Sequence, residues 1–179
     1  MQPNYILAID PGVHRLGLAI ATREGSLLAF EVLTTDPRVD LPKRLKELEV
    51  AIEDRLRRFR PNLVLLEKTW PTSCPPLAAA RRMALVCRRL ALRRRIPMAE
   101  VNVKEVRRKV VGFGWASKLE TAQVVASYYP ELGLYLRQDR AWKERYFQNL
   151  FDAVALLIYE RLGRRVTPSH PLPDVVIDA

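Results

Sequence analysis

Short apolar runs separated by turn residues predict the strands of this chain. Residues 5–9, 16–21 and 27–33 are rich in β-forming side chains and follow one another closely, which predicts an antiparallel meander of three strands. Residues 62–67 form a continuous apolar run that ends in an acid, a pattern typical of a parallel strand buried on both faces. A fifth strand is expected over residues 96–103. The pattern therefore predicts an α/β fold with a five-stranded mixed sheet.

Apolar positions at three- and four-residue steps predict the helices that flank these strands. The first helix follows Asp40, its expected N-cap, and ends at Pro61. Four more helices are expected over residues 76–95, over 104–111, from a Ser-Lys-Leu-Glu capping box at 117–120, and over 148–162 with Gly163 as C-cap. Residues 130–146 carry no pattern that assigns them to one element.

Size and composition indicate a single globular domain with a basic surface. The chain has 179 residues, of which 49% are hydrophobic, enough to bury a core. We expect one domain over residues 1–165 and a proline-rich tail over residues 166–179. The formal net charge of +10 points to a polyanionic partner, most often nucleic acid.

The sequence also bears on location and on the two cysteines. It shows no signal-peptide pattern and no apolar run of membrane-spanning length, so we expect no membrane partner and a cytoplasmic location. Cys74 and Cys87 lack the spacing of metal ligands. Both are expected to be packing residues in a reduced protein.

Two groups of basic residues are candidates for nucleic-acid contact. In the 76–95 helix, arginines repeat at a spacing of seven residues, nearly two turns, and so form a stripe. That segment contains no acid to pair with them, which favours a phosphate track over a merely solvated face. The members of this stripe are Arg81, Arg82, Arg88 and Arg89. The second group surrounds a Gly-Phe-Gly turn and consists of Arg107, Arg108, Lys109 and Lys118.

Two acids end strands that we expect to be neighbours. Asp10 follows the first strand and Glu67 the fourth, and the carboxyl ends of adjacent parallel strands meet at one sheet edge. Close carboxylates repel each other unless a cation compensates them, and oxygen ligands of this kind suit Mg²⁺ or Mn²⁺. From the residues alone, two plainer interpretations stay open: Asp10 caps its own turn, and Glu67 pairs with Lys68 or a nearby arginine.

One more acid and a loop tryptophan complete the candidate functional residues. Asp152 stands among apolar residues of the last helix, with Asn149 one turn earlier on a similar face. A carboxylate on the inner side of a buried helix needs a partner. Trp70 lies in a proline-rich loop after Glu67, where it could cover the core or stack on a base. The core interpretation is slightly favoured from the residues alone.

Four blocks of sequence resemble the RuvC-type Holliday junction resolvases of the ribonuclease H-like superfamily. Three of them carry acids that resemble the metal-binding carboxylates of that superfamily: Asp10 in Ile-Asp-Pro-Gly, Glu67 at a strand end, and Asp152 in Asn-Leu-Phe-Asp-Ala-Val-Ala-Leu. The fourth, residues 106–118, reads Val-Arg-Arg-Lys-Val-Val-Gly-Phe-Gly-Trp-Ala-Ser-Lys and is similar to the family block V-K-x-x-V-x-G-x-G-x-A-x-K. The blocks occur in the family order and cover nearly the whole chain.

The resemblance implies a ribonuclease H-like fold and a DNA endonuclease that resolves four-way junctions by symmetric nicking. It implies two Mg²⁺ ions per active site, replaceable by Mn²⁺, with Asp10 contacting both ions and Glu67 and Asp152 one each. Lys118 would then stabilise charge on the phosphate during hydrolysis. The products would carry 5′-phosphate and 3′-hydroxyl ends.

The resemblance also implies contacts and partners. Arg107 takes the place of a basic residue that contacts DNA, and Trp70 matches an aromatic that the family wedges against bases at the junction. A four-way junction has paired, symmetric strands, so a homodimer with two active sites is expected. A branch-migration motor is a further partner that the resemblance raises.

The chain departs from the family pattern at Asn149, where the family has an acid or, in some members, a histidine. The amide still offers a neutral oxygen to a hard cation, so Asn149 counts among the expected metal-binding and catalytic residues. Alternatively, Glu144 or Asp139 could supply the missing charge. Two other functions stay open: a non-catalytic junction-binding protein on the same fold, and a related nuclease acting on branched DNA or an RNA–DNA hybrid.

Overall fold

A five-stranded mixed sheet forms the centre of the fold. The computed structural model describes residues 4–136 and 141–163, and the side chains of all of these except 141–145. Its strands are β1 (Tyr5–Asp10), β2 (Arg15–Thr22), β3 (Leu27–Thr34), β4 (Leu63–Glu67) and β5 (Met98–Val101). They lie in the order β3-β2-β1-β4-β5, with β1 antiparallel to β2 and parallel to β4.

Helices cover both faces of the sheet. They are α1 (Leu41–Phe59), α2 (Pro75–Arg93), α3 (Val103–Val110), α4 (Lys118–Tyr128), α5 (Gly133–Leu136) and α6 (Ala141–Arg161), with a 3₁₀ turn at Pro130–Leu132 before α5. None of the helices in the described ranges combines the length and the apolar character that crossing a lipid bilayer requires.

Alternating side chains of the central strands bury two separate apolar cores. On β1, Leu7 and Ile9 pack with apolar residues of α1 and α2. Ile6 and Ala8 point to the opposite face and pack with α3, α4 and α6. Side chains alternate between the two faces along a strand, so the position of the last residue in a strand decides which face its side chain is on.

The predicted fold class is confirmed, and the differences lie at the ends of elements. β5 is shorter than predicted because the Asn102 side chain accepts a hydrogen bond from the Lys104 N–H at 2.9 Å and starts α3. The last helix starts earlier, at Ala141 rather than at residue 148. Aromatic packing stabilises this added length, since the ring of Phe147 lies 4.7 Å from that of Tyr135.

Two smaller predictions are confirmed only in part, and others fall outside the described ranges. Asp40 stands at the N-cap of α1, but its side chain accepts no capping hydrogen bond; its backbone carbonyl accepts from the Arg44 N–H instead. Cys74 is exposed, whereas Cys87 is in the core, where burial raises the pKa of its thiol to about 12. The tail at 166–179, Asp139 and the side chain of Glu144 are not among the described parts.

The absence of a side chain at Gly17 allows α6 to lie directly on β2. A Cβ atom at Gly17 would lie 1.8 Å from the carbonyl oxygen of Asn149 and 2.3 Å from its carbonyl carbon. Gly17 is the partner of Asp10 in the β1–β2 register, and the next residues on the same face of β2 are Ala19 and Ala21. This stripe of small residues therefore brings α6 next to the end of β1.

Gly17→Ala is expected to destabilise the protein, because the added methyl group must push α6 away from the sheet. Overpacking of this kind costs about 1–3 kcal/mol. The measurement is the free energy of unfolding in urea. Gly133→Ala is the control, because nothing lies within 4 Å of its added Cβ. Equal stability of Gly17→Ala and the natural protein would contradict the close approach.

Candidate active site

Strand register brings Asp10 and Glu67 together at one edge of the sheet. β1 pairs with β4 through Ile9 and Leu66, so the next residue of each strand is an acid. Asp10 continues the series of Ile6 and Ala8, and Glu67 that of Leu65, all of which face α6. Both carboxylates therefore point toward the same helix. The predicted juxtaposition of the two strand-end acids is confirmed.

The third acid comes from α6. Asp152 is only 8% exposed and lies on the face of α6 that meets the sheet. One carboxylate oxygen from each of Asp10, Glu67 and Asp152 can be chosen so that all three lie within 4.8 Å of one another. The prediction that an acid on the last helix joins the two strand-end acids is confirmed.

Burial and mutual repulsion make the proton hard to remove from these carboxyl groups. Burial raises the pKa of Asp10 well above its usual range, and the negative charges of Glu67 and Asp152 raise it further. Burial and then the charge of Asp152 raise the pKa of Glu67 to about 7. Burial also raises the pKa of Asp152, although Lys118, the Gln148 hydrogen bond and Arg107 act in the opposite direction.

Asn149 meets this cluster through its amide nitrogen. The Nδ2 group donates a hydrogen bond to the backbone carbonyl of Arg15 at 2.9 Å. The Asn149 side chain is also hydrogen-bonded to Asp10, which favours the charged form of that carboxyl group. An amide oxygen cannot replace the nitrogen opposite a carbonyl oxygen, so the first of these bonds settles which way the amide points. Asn149 thus ties the end of β1, the start of β2 and α6 together.

Two cations flank the carboxylates. The Lys118 Nζ lies 3.9 Å from the Asp152 Oδ2, and its side chain is 61% exposed. Arg107 is partly buried in the same cleft, and its positive charge lowers the pKa of both Glu67 and Asp152. Within the described part of the chain, the Arg107 Nε is buried without a hydrogen-bond partner. The Arg107 side chain as a whole is partly exposed in the cleft, where a guanidinium can bind a phosphate oxygen.

The acids lie at the floor of an open cleft of roughly 890 Å³. Trp70 lines this cleft and is 56% exposed, so the favoured interpretation of Trp70 as a core residue is wrong. The Lys68 Nζ lies 4.4 Å from the centre of the Trp70 ring. Lys68 thus contacts a ring, and among the described residues no salt bridge joins Glu67 to Lys68 or to an arginine.

The arginine stripe on α2 divides into two halves. Arg81 and Arg82 are exposed and follow Ala79 and Ala80, which line the cleft. The expectation that no acid pairs with these arginines is wrong for Arg88 and Arg89, because acids of other elements form salt bridges with them. Arg88 pairs with Glu100 of β5, and Arg89 Nη2 lies 3.0 Å from Glu49 of α1. Only the half near the cleft stays available for phosphate contact within the described residues.

The remaining two predicted basic residues point elsewhere. Arg108 is exposed, and its guanidinium lies beside the turn at Gly114. The Lys109 Nζ lies 5.3 Å from the centre of the Tyr159 ring on α6. Of the second basic group, the structure therefore brings Arg107 and Lys118 to the carboxylates, but neither Arg108 nor Lys109.

Sequence reasoning missed two neighbours of the acids. The Gln148 Nε2 donates to the Asp152 Oδ2 at 3.4 Å, and its position four residues before Asp152 on a helix was a usable signal. His14 lines the cleft, and its Nδ1 lies 3.1 Å from the carbonyl oxygen of Thr35. No local pattern could have placed His14, because its contact partner is on another loop.

The three carboxylates fit a hard divalent cation. They offer only oxygen donors, their ligand atoms are close together, and burial and repulsion oppose their charged forms. A bound cation stabilises the charged forms of the three carboxyl groups, which is the usual reason for such a cluster in a protein. The acidic cluster can therefore hold a metal ion.

Comparison with known proteins agrees with this geometry. A family model described as crossover junction endodeoxyribonuclease RuvC matches residues 6–130. The RuvC protein of Maricaulis maris (strain MCS10) is 31% identical over 169 residues, covering 90% of this chain and 93% of that protein. The chain belongs to the RuvC family. The RuvC protein of Ralstonia nicotianae is 29% identical over 126 residues, covering 67% of this chain and 68% of that protein.

A solved RuvC structure has the same architecture. Thermus thermophilus RuvC, solved in complex with a Holliday junction substrate, superposes with a TM-score of 0.68 at 26% identity, covering 87% of this chain and 92% of that one. The segment that matches the RuvC family model contains Asp10, Glu67 and Lys118, while Asn149 and Asp152 follow it. The predicted family and the ribonuclease H-like fold are thus confirmed.

The metal-free protein is expected to lose stability as the pH rises through the range in which the Glu67 carboxyl group titrates. In the unfolded chain this carboxyl group titrates near 4.5, and in the folded protein near 7. The folded state therefore holds its proton more tightly, so stability is full below about pH 4.5 and falls as the pH rises toward about 7.

Glu67→Gln removes this titration. In EDTA we expect it to raise the free energy of unfolding at about pH 8 by about 3 kcal/mol, while changing little at about pH 4.5. Urea unfolding across this range measures the difference. The matched control is Glu47→Gln, at an exposed position of α1. A Glu67→Gln curve parallel to that of the natural protein would show that Glu67 is not held at high pKa.

Proposed function

We propose that this RuvC-family chain is a metal-dependent endonuclease that resolves four-way DNA junctions. The observation that carries the proposal is the meeting of Asp10, Glu67 and Asp152 at the floor of an open cleft, with Arg107 and Lys118 beside them. Carboxylates alone would repel a phosphodiester, so the site needs cations to bind one. Arg107 and Lys118 are two such cations.

Asp10, Glu67 and Asp152 would hold the metal, with Mg²⁺ as the first candidate and Mn²⁺ as its substitute. Two ions per site, as the family resemblance implies, would share these three carboxylates, whose ligand atoms lie within 4.8 Å of one another. When bound, the metal supplies activation of water and stabilisation of the leaving oxygen. Oxygen-only ligation excludes a preference for softer ions that select thiolate or imidazole ligands.

We assign Asn149 a positioning role. Its amide nitrogen has no free lone pair, and it donates to the Arg15 carbonyl and is hydrogen-bonded to Asp10. In this geometry the side chain holds the Asp10 carboxylate in place rather than adding a charge to the cluster. The site therefore works with three carboxylates where the family pattern has a fourth acid or a histidine.

The cations and Trp70 orient the DNA. Arg107 is partly exposed in the cleft and can donate to a phosphate oxygen, and Lys118 lies where it can stabilise charge that develops on the phosphate. Trp70 offers an exposed ring at the edge of the cleft for a base, a contact worth about 1–3 kcal/mol. Arg81 and Arg82 extend the positive surface along α2.

Symmetric resolution needs two such sites. A four-way junction presents two equivalent strands, so we propose a two-fold homodimer in which each copy cuts one strand. Coupling to a branch-migration motor belongs to the same proposal. A second candidate is a non-catalytic junction-binding protein on this fold, which the lower charge at Asn149 favours.

Purified protein and a synthetic four-way junction labelled at each 5′ end test the function. With Mg²⁺ or Mn²⁺ we expect paired nicks at symmetric positions, and with EDTA intact junctions that remain bound. Asp10→Asn is expected to abolish the nicks without abolishing binding, because it removes a metal ligand but not the basic surface. Denaturing gels and a gel-shift assay measure both.

Asp54→Asn is the matched control, because this acid lies on α1 in ion pairs with Arg55 and Arg57, away from the cleft. It should cut like the natural protein. Junctions that are bound but never cut with either metal would favour the non-catalytic candidate. Equal cutting of a duplex or an RNA–DNA hybrid would assign the nuclease another substrate.

A further inference from the structure

The turn between α3 and α4 displays a pair of aromatic rings. Trp115 is 84% exposed, the highest value among the large apolar side chains of the described ranges. Its ring lies 5.5 Å from that of Phe113, and the two planes are tilted by 36°. The RuvC-family function described above makes no use of either ring. A tryptophan ring exposed to this extent is costly in water unless something covers it.

The turn that carries the rings is anchored at both ends. Gly112 has a φ of 108°, which L side chains rarely adopt, so the reversal after α3 depends on this glycine. On the other side, Ser117 and Glu120 form a reciprocal capping box that begins α4. Ala116, between the ring and the cap, is 1% exposed. The rings are therefore presented by a well-anchored backbone, which suits a preformed contact surface.

The surroundings of the rings are positively charged. The Arg108 guanidinium lies 3.9 Å from the position that a Cβ on Gly114 would take. Lys118 follows the turn, and Lys104 and Arg108 are both exposed on α3. The nearest acid in sequence, Glu120, accepts a hydrogen bond from the Ser117 N–H and is committed to the cap. Exposed rings among arginine and lysine side chains are the chemistry of stacking on nucleobases while phosphates are neutralised.

The turn is also continuous with the active site. Val103 at the start of α3 and Lys118 at the start of α4 both line the cleft. Trp115 is three residues from Lys118, a separation that spans at most about 10 Å. A DNA strand whose phosphate is held at Lys118 can therefore reach the rings.

The two tryptophans approach such a strand from opposite layers. Trp70 precedes α2, which packs on one face of the sheet, whereas Trp115 precedes α4, which packs on the other. In the proposed function Trp70 provides the wedge at the junction, so we assign the rings on the α3–α4 turn to a different segment of the substrate.

We propose that Phe113 and Trp115 form a second stacking platform, on which bases of the DNA strand next to the scissile phosphate are held. Trp115 provides the exposed face, and Phe113 supports it from behind. This inference rests on the proposed function, since it takes junction DNA as the substrate of the cleft. It adds a contact that would favour junctions with unstacked bases over continuous duplex.

Binding of a metal-free junction tests the platform independently of cutting. In EDTA, Trp115→Ala is expected to weaken junction binding by about 5- to 150-fold, the loss of one stacked base, while Trp115→Phe keeps most of the affinity. A 2-aminopurine placed next to the cut position should be quenched by the natural protein and not by Trp115→Ala. Tyr128→Ala, an exposed aromatic at the far end of α4, is the control and should bind normally.

Three results would overturn the platform. One is natural affinity and natural quenching in Trp115→Ala. Another is equal weakening in Trp115→Ala and Trp115→Phe with a loss of molar mass in light scattering, which would place the ring between two copies of the chain. The third is failure of the natural protein to bind junctions. Binding with the expected Trp115 effects but no cutting would support the platform and refute the proposed nuclease.

Discussion

Repulsion among three carboxylates is the constraint on which the site depends. Asp10, Glu67 and Asp152 are forced together by the sheet register and by α6, in surroundings that raise the pKa of each. A fold that needed only stability would not place them so. Lys118 and Arg107 reduce the repulsion but do not remove it, because Lys118 lies 3.9 Å from Asp152 and is mostly exposed. The cluster is thus suited to bind a metal cation, and that cation can in turn attract the phosphate.

The scaffold reaches this arrangement through close backbone packing. Gly17 lets the Asn149 carbonyl lie where a side chain would otherwise be, and α6 thereby comes down onto β2 beside Asp10. The Asn149 amide then bonds to the Arg15 carbonyl across the same contact. An amide suits this place because it donates to two acceptors without adding a fourth negative charge. The same contact between α6 and β2 therefore sets the packing and positions the Asn149 amide. A larger residue at Gly17 would disturb both.

Much of this could be predicted from the sequence, for reasons that are local. Apolar runs and turn residues indicate the strands, and strand-end acids at Asp10 and Glu67 indicate the sheet edge at which they meet. Contacts between distant segments could not be predicted in this way. The pairing of Arg89 with Glu49 depends on how α2 packs on α1, and the exposure of Trp70 depends on the path of its loop. The direction of the Asn149 amide likewise depends on a carbonyl far away in sequence.

The most direct test is the position of Mn²⁺ in crystals of the natural protein, read from its anomalous scattering. We predict density in contact with carboxylate oxygens of Asp10, Glu67 and Asp152, with the Asn149 amide nitrogen still on the Arg15 carbonyl. The same crystals of Asp10→Asn should show weak density or none. Manganese bound elsewhere, with these three carboxylates free of it at saturating concentration, would contradict the metal site and the nuclease mechanism that rests on it.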